Sequence, residues 1–291
     1  DCSRGGVLKW SATKINGGTS SCEMNDSGPH IVYTIFNEPK PPWNNAYGSE
    51  QNAWTNALEF AIIKANSAGK TTDKDAFAAL TTYLHSGHGL VYDTVEGASR
   101  YWNTTACVFS ATAYISVTNG VSVTNLVNCY DQAYGVVTFG NLLGPSVAAT
   151  PRFTMPFGYI NKTMLVGVGD CNNPFYCTGQ SLYVNIVGNS YYTAIGVPQK
   201  KIICGSDDKT RTWFYTHMYV TFDSTGTNYV FDACAGPCVG NITLPDYLKA
   251  TIDQSTKEER ALGYFTQLHM PNNIFPYGAI DEKKNINFTL K

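Results

Sequence analysis

One stretch of this chain leaves the fold little choice. Asn125-Leu-Val-Asn-Cys-Tyr-Asp-Gln-Ala-Tyr-Gly-Val-Val-Thr-Phe-Gly-Asn-Leu-Leu-Gly144 repeats its apolar residues at helical spacing through Ala133, Val136/Val137, Gly140 and Leu143. Gly144-Pro145 then supplies a firm stop. Apolar side chains fall on nearly every side of that helix, so it is expected to run through a core and not over one.

The surrounding segments supply a sheet for it to pack on. Ile31–Phe36 alternates and is closed by Pro39, Pro41 and Pro42. Cys107–Val117, rich in β-branched and aromatic residues, reads as a strand, as does Leu90–Tyr92. Thr212–Phe222 and Tyr229–Phe231 read as two strands around a Ser224-Thr225-Gly226 turn, and residues 150–210 as further strands and long loops. Two more helices are predicted. One runs from Trp54 through Leu58, Ile62 and Ala65 to Gly69; the other is capped by Thr72 or Asp73 and runs through Phe77, Leu80 and Leu84 to Gly87. A short helix is expected near Glu258–Phe265. The fold class is therefore α+β, an antiparallel sheet packed on a buried helix. Residues 1–50 form a small N-terminal β extension and residues 51–291 the core with its C-terminal tail, together one structural unit.

Composition narrows the function classes. Charged residues make up 14% of the 291, below the roughly 25% of an average domain, while 43% are hydrophobic, enough for a sizeable core. A net charge of −2 with no basic block argues against nucleic acid as a partner. Apolar runs such as Ala111–Val117 are far short of the roughly 18–20 residues of a membrane span. Asn-x-Ser/Thr sequons begin at Asn25, Asn103, Asn161, Asn241 and Asn287. With nine cysteines and a start at Asp1, they suggest a secreted eukaryotic glycoprotein, for example a fungal one, whose signal peptide has been removed.

The odd cysteine count singles out one thiol. Eight cysteines lie in Gly-, Asn- or Pro-rich segments or at strand ends and are expected to pair, Cys2 with Cys22 among them. Cys129 alone opens a helix, where it is an intermolecular bridge, an inert buried thiol or a nucleophile. A helix N-terminus favours thiolate through its unpaired N–H groups and dipole. No cofactor or metal is expected: His85-Ser-Gly-His88 lacks a third ligand, Cys234-Ala-Gly-Pro-Cys238 lacks a CxxC partner, and Asp207-Asp208 is too small a cluster.

A nucleophilic thiol needs a base, and the base an orienting group. Of the five histidines, His217 is read in mid-strand within Trp213–Val220, where the usual fate is a hydrogen-bonded core residue. The next strand ends at Asp232. An even loop such as 223–226 sets His217 directly opposite Asp232; an odd loop with a Gly226 bulge also brings them close. Such an Asp would fix the imidazole tautomer.

Asn128-Cys-Tyr-Asp-Gln-Ala133, His217-Met-Tyr-Val220 and Tyr229-Val-Phe-Asp232, in that order, resemble the transglutaminase-like cysteine hydrolases of the papain-like superfamily. The resemblance covers roughly residues 54–240. It implies nucleophile Cys129, base His217 and orienting Asp232, with an oxyanion held by the Cys129 amide and a side chain such as Trp102 or Asn128. It also implies an acyl-enzyme on an amide bond: a peptide, an isopeptide, a glutamine side chain or a cell-wall peptide. Water would be the usual acceptor, and an amine would give transamidation. Two alternatives stand beside this reading. One is a glycan-active hydrolase on the same scaffold, with Tyr-rich runs such as 172–176 and 190–192 stacking on sugars. The other is a non-catalytic secreted interaction glycoprotein. The expected partners are accordingly extracellular protein, peptide or glycan.

Overall fold

The structure, a computed structural model, describes residues 2–7, 11–13, 21–23, 29–44, 54–93, 96–117, 125–155, 163–171, 181–182, 202–203, 216–236, 238–251, 280–284 and 286–291. Its centre is an antiparallel sheet of β1 (Thr150–Met155), β2 (His217–Ser224), β3 (Thr227–Asp232), β4 (Cys238–Thr243) and β5 (Ile280–Lys283), in the order β4-β3-β2-β1-β5. Helices α1 (Thr55–Glu59), α2 (Asp73–Thr82), α3 (Ala111–Ser116), α4 (Cys129–Leu142) and α5 (Leu244–Thr251) accompany it, and α1 and α2 each run on into a π-helical turn. Several two- and three-stranded sheets complete the described part. The class is α+β, as the hydrophobic periods predict. Among the described residues no helix is long and apolar enough to cross a membrane.

The expectation for the 125–144 helix holds. Every residue of α4 except Tyr130 is buried, and its two ends are wrapped by different parts of the chain. Residues 36–43 run along its C-terminal half, where the Trp43 indole donates to the Thr138 carbonyl at 2.7 Å and Phe36 N–H to Leu143 O at 2.9 Å. Two glycines let neighbours close on the helix. A Cβ at Gly140 would lie 2.1 Å from Phe77 Cε1, and one at Gly135 would lie 2.8 Å from the Tyr114 hydroxyl. Phe77 in turn stacks on Phe222 of β2 at 5.3 Å, so α2, α4 and the sheet share one aromatic seam.

The β2–β3 hairpin turns through Thr225 and Gly226, both at positive φ (54° and 84°), the backbone signature of a tight two-residue loop. Asp223 accepts the Gly226 N–H at 2.9 Å and holds the turn. This pairs Ser224 with Thr227 and Val220 with Phe231. The register differs from the predicted four-residue loop. Continued toward the site, it sets Tyr219 across from Asp232 and leaves His217 one diagonal step away on the same face.

Two strand assignments need correction. Within Cys107–Val117 only Val108–Phe109 is strand, and Ala111–Ser116 is helical. The β-branched residues there are overruled by tertiary packing: Ala111 and Tyr114, three apart, turn one buried face toward α4, and the Tyr114 carbonyl accepts the His88 Nε2–H at 2.7 Å. His217 is not in mid-strand, since β2 begins at it. The predicted helix near 258–265 lies outside the described residues. The Phe77 seam gives a direct check. Gly140→Ala is expected to cost about 1–3 kcal/mol in urea unfolding, and the loss should shrink when Phe77→Leu makes room for the added methyl.

Candidate active site

Burying the start of α4 strands its first N–H groups away from water. Asn128 and Asp131 answer this as a capping box. Asn128 Oδ1 accepts from the Tyr130 and Asp131 amides, and Asp131 Oδ2 accepts from the Asn128 amide. Gln132 N–H bonds the Asn128 carbonyl. The Cys129 amide is the first-turn donor that the box does not use.

The same Asp131 carboxylate gathers the chain that passes over this helix end. It accepts the Ser99 hydroxyl at 2.7 Å and the Arg100, Tyr101 and Trp102 amides at 2.8 Å each. Burial pushes the Asp131 carboxyl up, and these donors pull it back only in part. Asn128 Nδ2–H donates to the Gly97 carbonyl, and Arg100 reaches Asp93 at 2.6 Å and Glu96 at 2.7 Å. Residues 97–102 are thus clamped over the turn that carries Cys129.

His217 and Asp232 meet beneath it. His217 Nε2–H donates to Asp232 Oδ2 at 2.8 Å, and the Cys129 thiol lies close enough to the imidazole to favour its protonated form. With Nε2 held by the carboxylate, Nδ1 is the ring nitrogen available for proton exchange with sulfur. Asp232 is held at both oxygens. Oδ1 accepts the Cys234 and Ala235 amides at 2.7 and 3.0 Å, and Oδ2 takes the Tyr247 hydroxyl at 2.6 Å besides His217. Burial alone would lower the imidazole pKa, but the Asp232 charge and hydrogen bond, with Cys129, raise it from 6.5 to about 10. Burial pushes the Asp232 carboxyl up. The His217 charge and the bonds from His217, Tyr247 and the Ala235 amide outweigh it and leave the carboxyl below its ordinary value.

One further strut joins the helix to the Asp232 turn. Gln132 accepts the Tyr114 hydroxyl at 2.5 Å and donates to the Leu84 and Ala233 carbonyls at 3.2 Å each. His85 Nδ1–H reaches the same Ala233 carbonyl at 3.1 Å. His85 and His88 are therefore tied to backbone carbonyls in the core, and burial lowers both pKa values, that of His88 to about 4.

The structure brings Cys129, His217 and Asp232 together from three separate elements. Trp102 lies on the clamped segment, its ring stacked on Tyr134 at a 3.5 Å centroid distance. The Asn128 side chain is engaged in capping through Oδ1 and binds the Gly97 carbonyl through Nδ2. The disulfide expectation also needs correction. Besides Cys129, the thiols of Cys107, Cys234 and Cys238 are free; Cys234 is buried just after Asp232, and Cys238 sits across from Asp232 on β4. Burial, then the nearby charges of Cys129 and Asp232, push the Cys234 thiol well up, which keeps it protonated beside Cys129. The side chains of Cys2 and Cys22 lie outside the described structure, as do Asn25 and Asn161; Asn103, Asn241 and Asn287 are exposed. Gln132 and Tyr247 carry no sequence signal of their role, whereas the Asn128-x-x-Asp131 spacing is a legible capping box. No family model, curated protein or solved structure matches the chain.

Two outcomes follow from these contacts. Asp131→Ala removes the acceptor shared by four backbone amides, those of Asn128, Arg100, Tyr101 and Trp102. It is expected to cost about 2–4 kcal/mol in chemical unfolding and to open residues 97–102 to limited proteolysis. The second outcome concerns pH. The folded imidazole keeps its proton to higher pH than the unfolded one, so its contribution to stability is complete below 6.5 and lost as pH rises through about 10. Asp232 acts in the opposite sense, its contribution being lost as pH falls through its depressed value. Thermal melts should show wild type losing stability over the alkaline window and His217→Gln holding a flatter profile there.

Proposed function

We propose that the chain is a cysteine-nucleophile hydrolase that works through an acyl-enzyme on an amide bond, on a core of the transglutaminase-like kind. The observation that carries this reading is the imidazole of His217, bonded to a four-fold hydrogen-bonded carboxylate and lying near a thiol at a helix N-terminus. A histidine whose only task was to fill a core would need neither a thiol partner nor a fully buried counter-charge.

In the proposed reaction Cys129 Sγ, having given its proton to His217, attacks the amide carbonyl carbon. The carbonyl π pair moves to oxygen, where the Cys129 amide, the donor left over by the capping box, receives the oxyanion. His217 passes the proton to the departing amine as the C–N bond breaks, and a thioester remains. Water then attacks the thioester carbon while His217 takes its proton, and the C–S bond breaks to release the acid. An amine in place of water would give the transamidated product. Asp232 keeps the proton on Nε2 throughout, so Nδ1 does the transfer. Trp102, on the segment clamped over the same helix turn, is the nearby candidate for a second oxyanion donor. A peptide, isopeptide, glutamine or cell-wall amide fits this chemistry, and the exposed sequons at Asn103, Asn241 and Asn287 support a secreted location.

Cys107 provides an internal control because its thiol is free and exposed, whereas Cys129 is 4% exposed. Iodoacetamide at about pH 6 should label Cys129 ahead of Cys107, as located by peptide mass spectrometry. Asp232→Asn should slow that labelling, and lower turnover on an amide substrate by on the order of 10²–10⁴-fold, without unfolding the chain. Labelling of Cys107 first at every pH, or full amide hydrolysis by Cys129→Ala, would remove the cysteine mechanism.

A further inference from the structure

α5 buries a single residue, Tyr247, while the rest of the helix is exposed or half-buried. Its hydroxyl reaches past the sheet edge and donates to Asp232 Oδ2 at 2.6 Å, the same oxygen that receives His217 Nε2–H at 2.8 Å. The ring stands 4.9 Å from Tyr219, whose own ring is 5.8 Å from that of His217. Thr243, just before α5, bonds Asp246 at 2.7 Å and steadies the first turn of the helix.

A bond to a carboxylate can orient it or redistribute its charge. Orientation is already provided, because Oδ1 is pinned by the Cys234 and Ala235 amides and the group cannot turn without breaking both. What Tyr247 adds is a second donor on the oxygen that His217 uses. Two donors on one oxygen draw on the same lone-pair density, so each binds a weaker acceptor than it would alone. Ring packing alone would be met by phenylalanine; the hydroxyl meets a different need.

We propose that Tyr247 is a positioning residue of the site, whose hydroxyl shares the Asp232 oxygen with His217 and so limits how tightly the carboxylate holds the imidazolium. The inference rests on the cysteine–histidine reading above. Its consequence is a tempered pair: a carboxylate that bound the imidazolium too strongly would leave His217 a poor donor to the departing amine. The other titratable groups facing the pair are Cys129 of α4, His85 at the end of α2, Tyr219 of β2, Cys234 after β3 and Cys238 of β4. None of them donates to Oδ2 in the described contacts.

The test is Tyr247→Phe, read by the ¹⁵N chemical shifts of the His217 ring across pH and by the pH profile of Cys129 alkylation. With the hydroxyl gone, the His217 titration should move up by about half to one pH unit, while the melting temperature stays near that of wild type. Site-specific 3,5-difluorotyrosine at position 247 keeps the ring and makes the hydroxyl a stronger donor, so it should move the titration down. It also decides the matter if the phenylalanine variant does not fold. An unmoved His217 titration in both variants would make Tyr247 a packing residue and overturn the proposal. Failure of wild-type Cys129 to out-react Cys107 is a separate result, since it would remove the hydrolase reading while the His217 titrations still report on Tyr247.

Discussion

A helix that starts inside a protein must find partners for N–H groups that water would otherwise satisfy, and α4 starts inside this one. The Asn128–Asp131 box closes three of those donors, and the carboxylate that completes it also collects residues 99–102. A requirement of helix ending has thereby organised the wall of the site. Because the box uses the Asn128, Tyr130 and Asp131 amides, the amide it leaves over is that of Cys129, next to the thiol itself. Capping the buried start of α4 and leaving the Cys129 amide unused by the cap are two results of one arrangement.

The second buried arrangement is electrostatic. A histidine and an aspartate, both essentially without solvent, cost several kcal/mol each to desolvate as ions. Their mutual attraction offsets that only if the remaining lone pairs are matched, which the Cys234 and Ala235 amides and the Tyr247 hydroxyl do. The turn after β3 therefore has to be as rigid as the strands. Gln132 and His85 supply that rigidity by holding the Ala233 carbonyl from two helical elements. The helix carrying Cys129 and the turn carrying Asp232 are joined directly through Gln132, so their spacing does not depend on sheet packing alone.

Much of this was legible in residue order. The α4 periodicity, the Thr72 cap of α2, the Gly144 stop and the β2–β3 hairpin all rest on interactions within a few residues, and the structure has each of them, whereas the first helical run ends at Lys64, short of the predicted Gly69. The Cys129, His217 and Asp232 positions could be named because residue chemistry and chain order are local properties too. The helix misread as a strand has a tertiary cause. Residues 111–116 carry strand propensity yet are helical, because Tyr114 is drawn onto α4 by Gln132 and the space at Gly135. Cys234 and Cys238, expected to pair by cysteine count, are free thiols in the structure.

By itself the sequence determined where α2 begins, where α4 begins and ends, that α4 is buried on nearly every side, and which thiol, imidazole and carboxylate follow one another in the order Cys, His, Asp. Those follow from local backbone preference, hydrophobic period and side-chain chemistry. Tertiary structure alone decided that His217 lies diagonal to Asp232, that Asn128 is taken up by capping, and that Tyr247 shares the carboxylate oxygen. The first depends on two backbone dihedrals in the Thr225-Gly226 turn. The other two depend on which donors meet when separate elements exclude the same water, and no spacing along the chain encodes that.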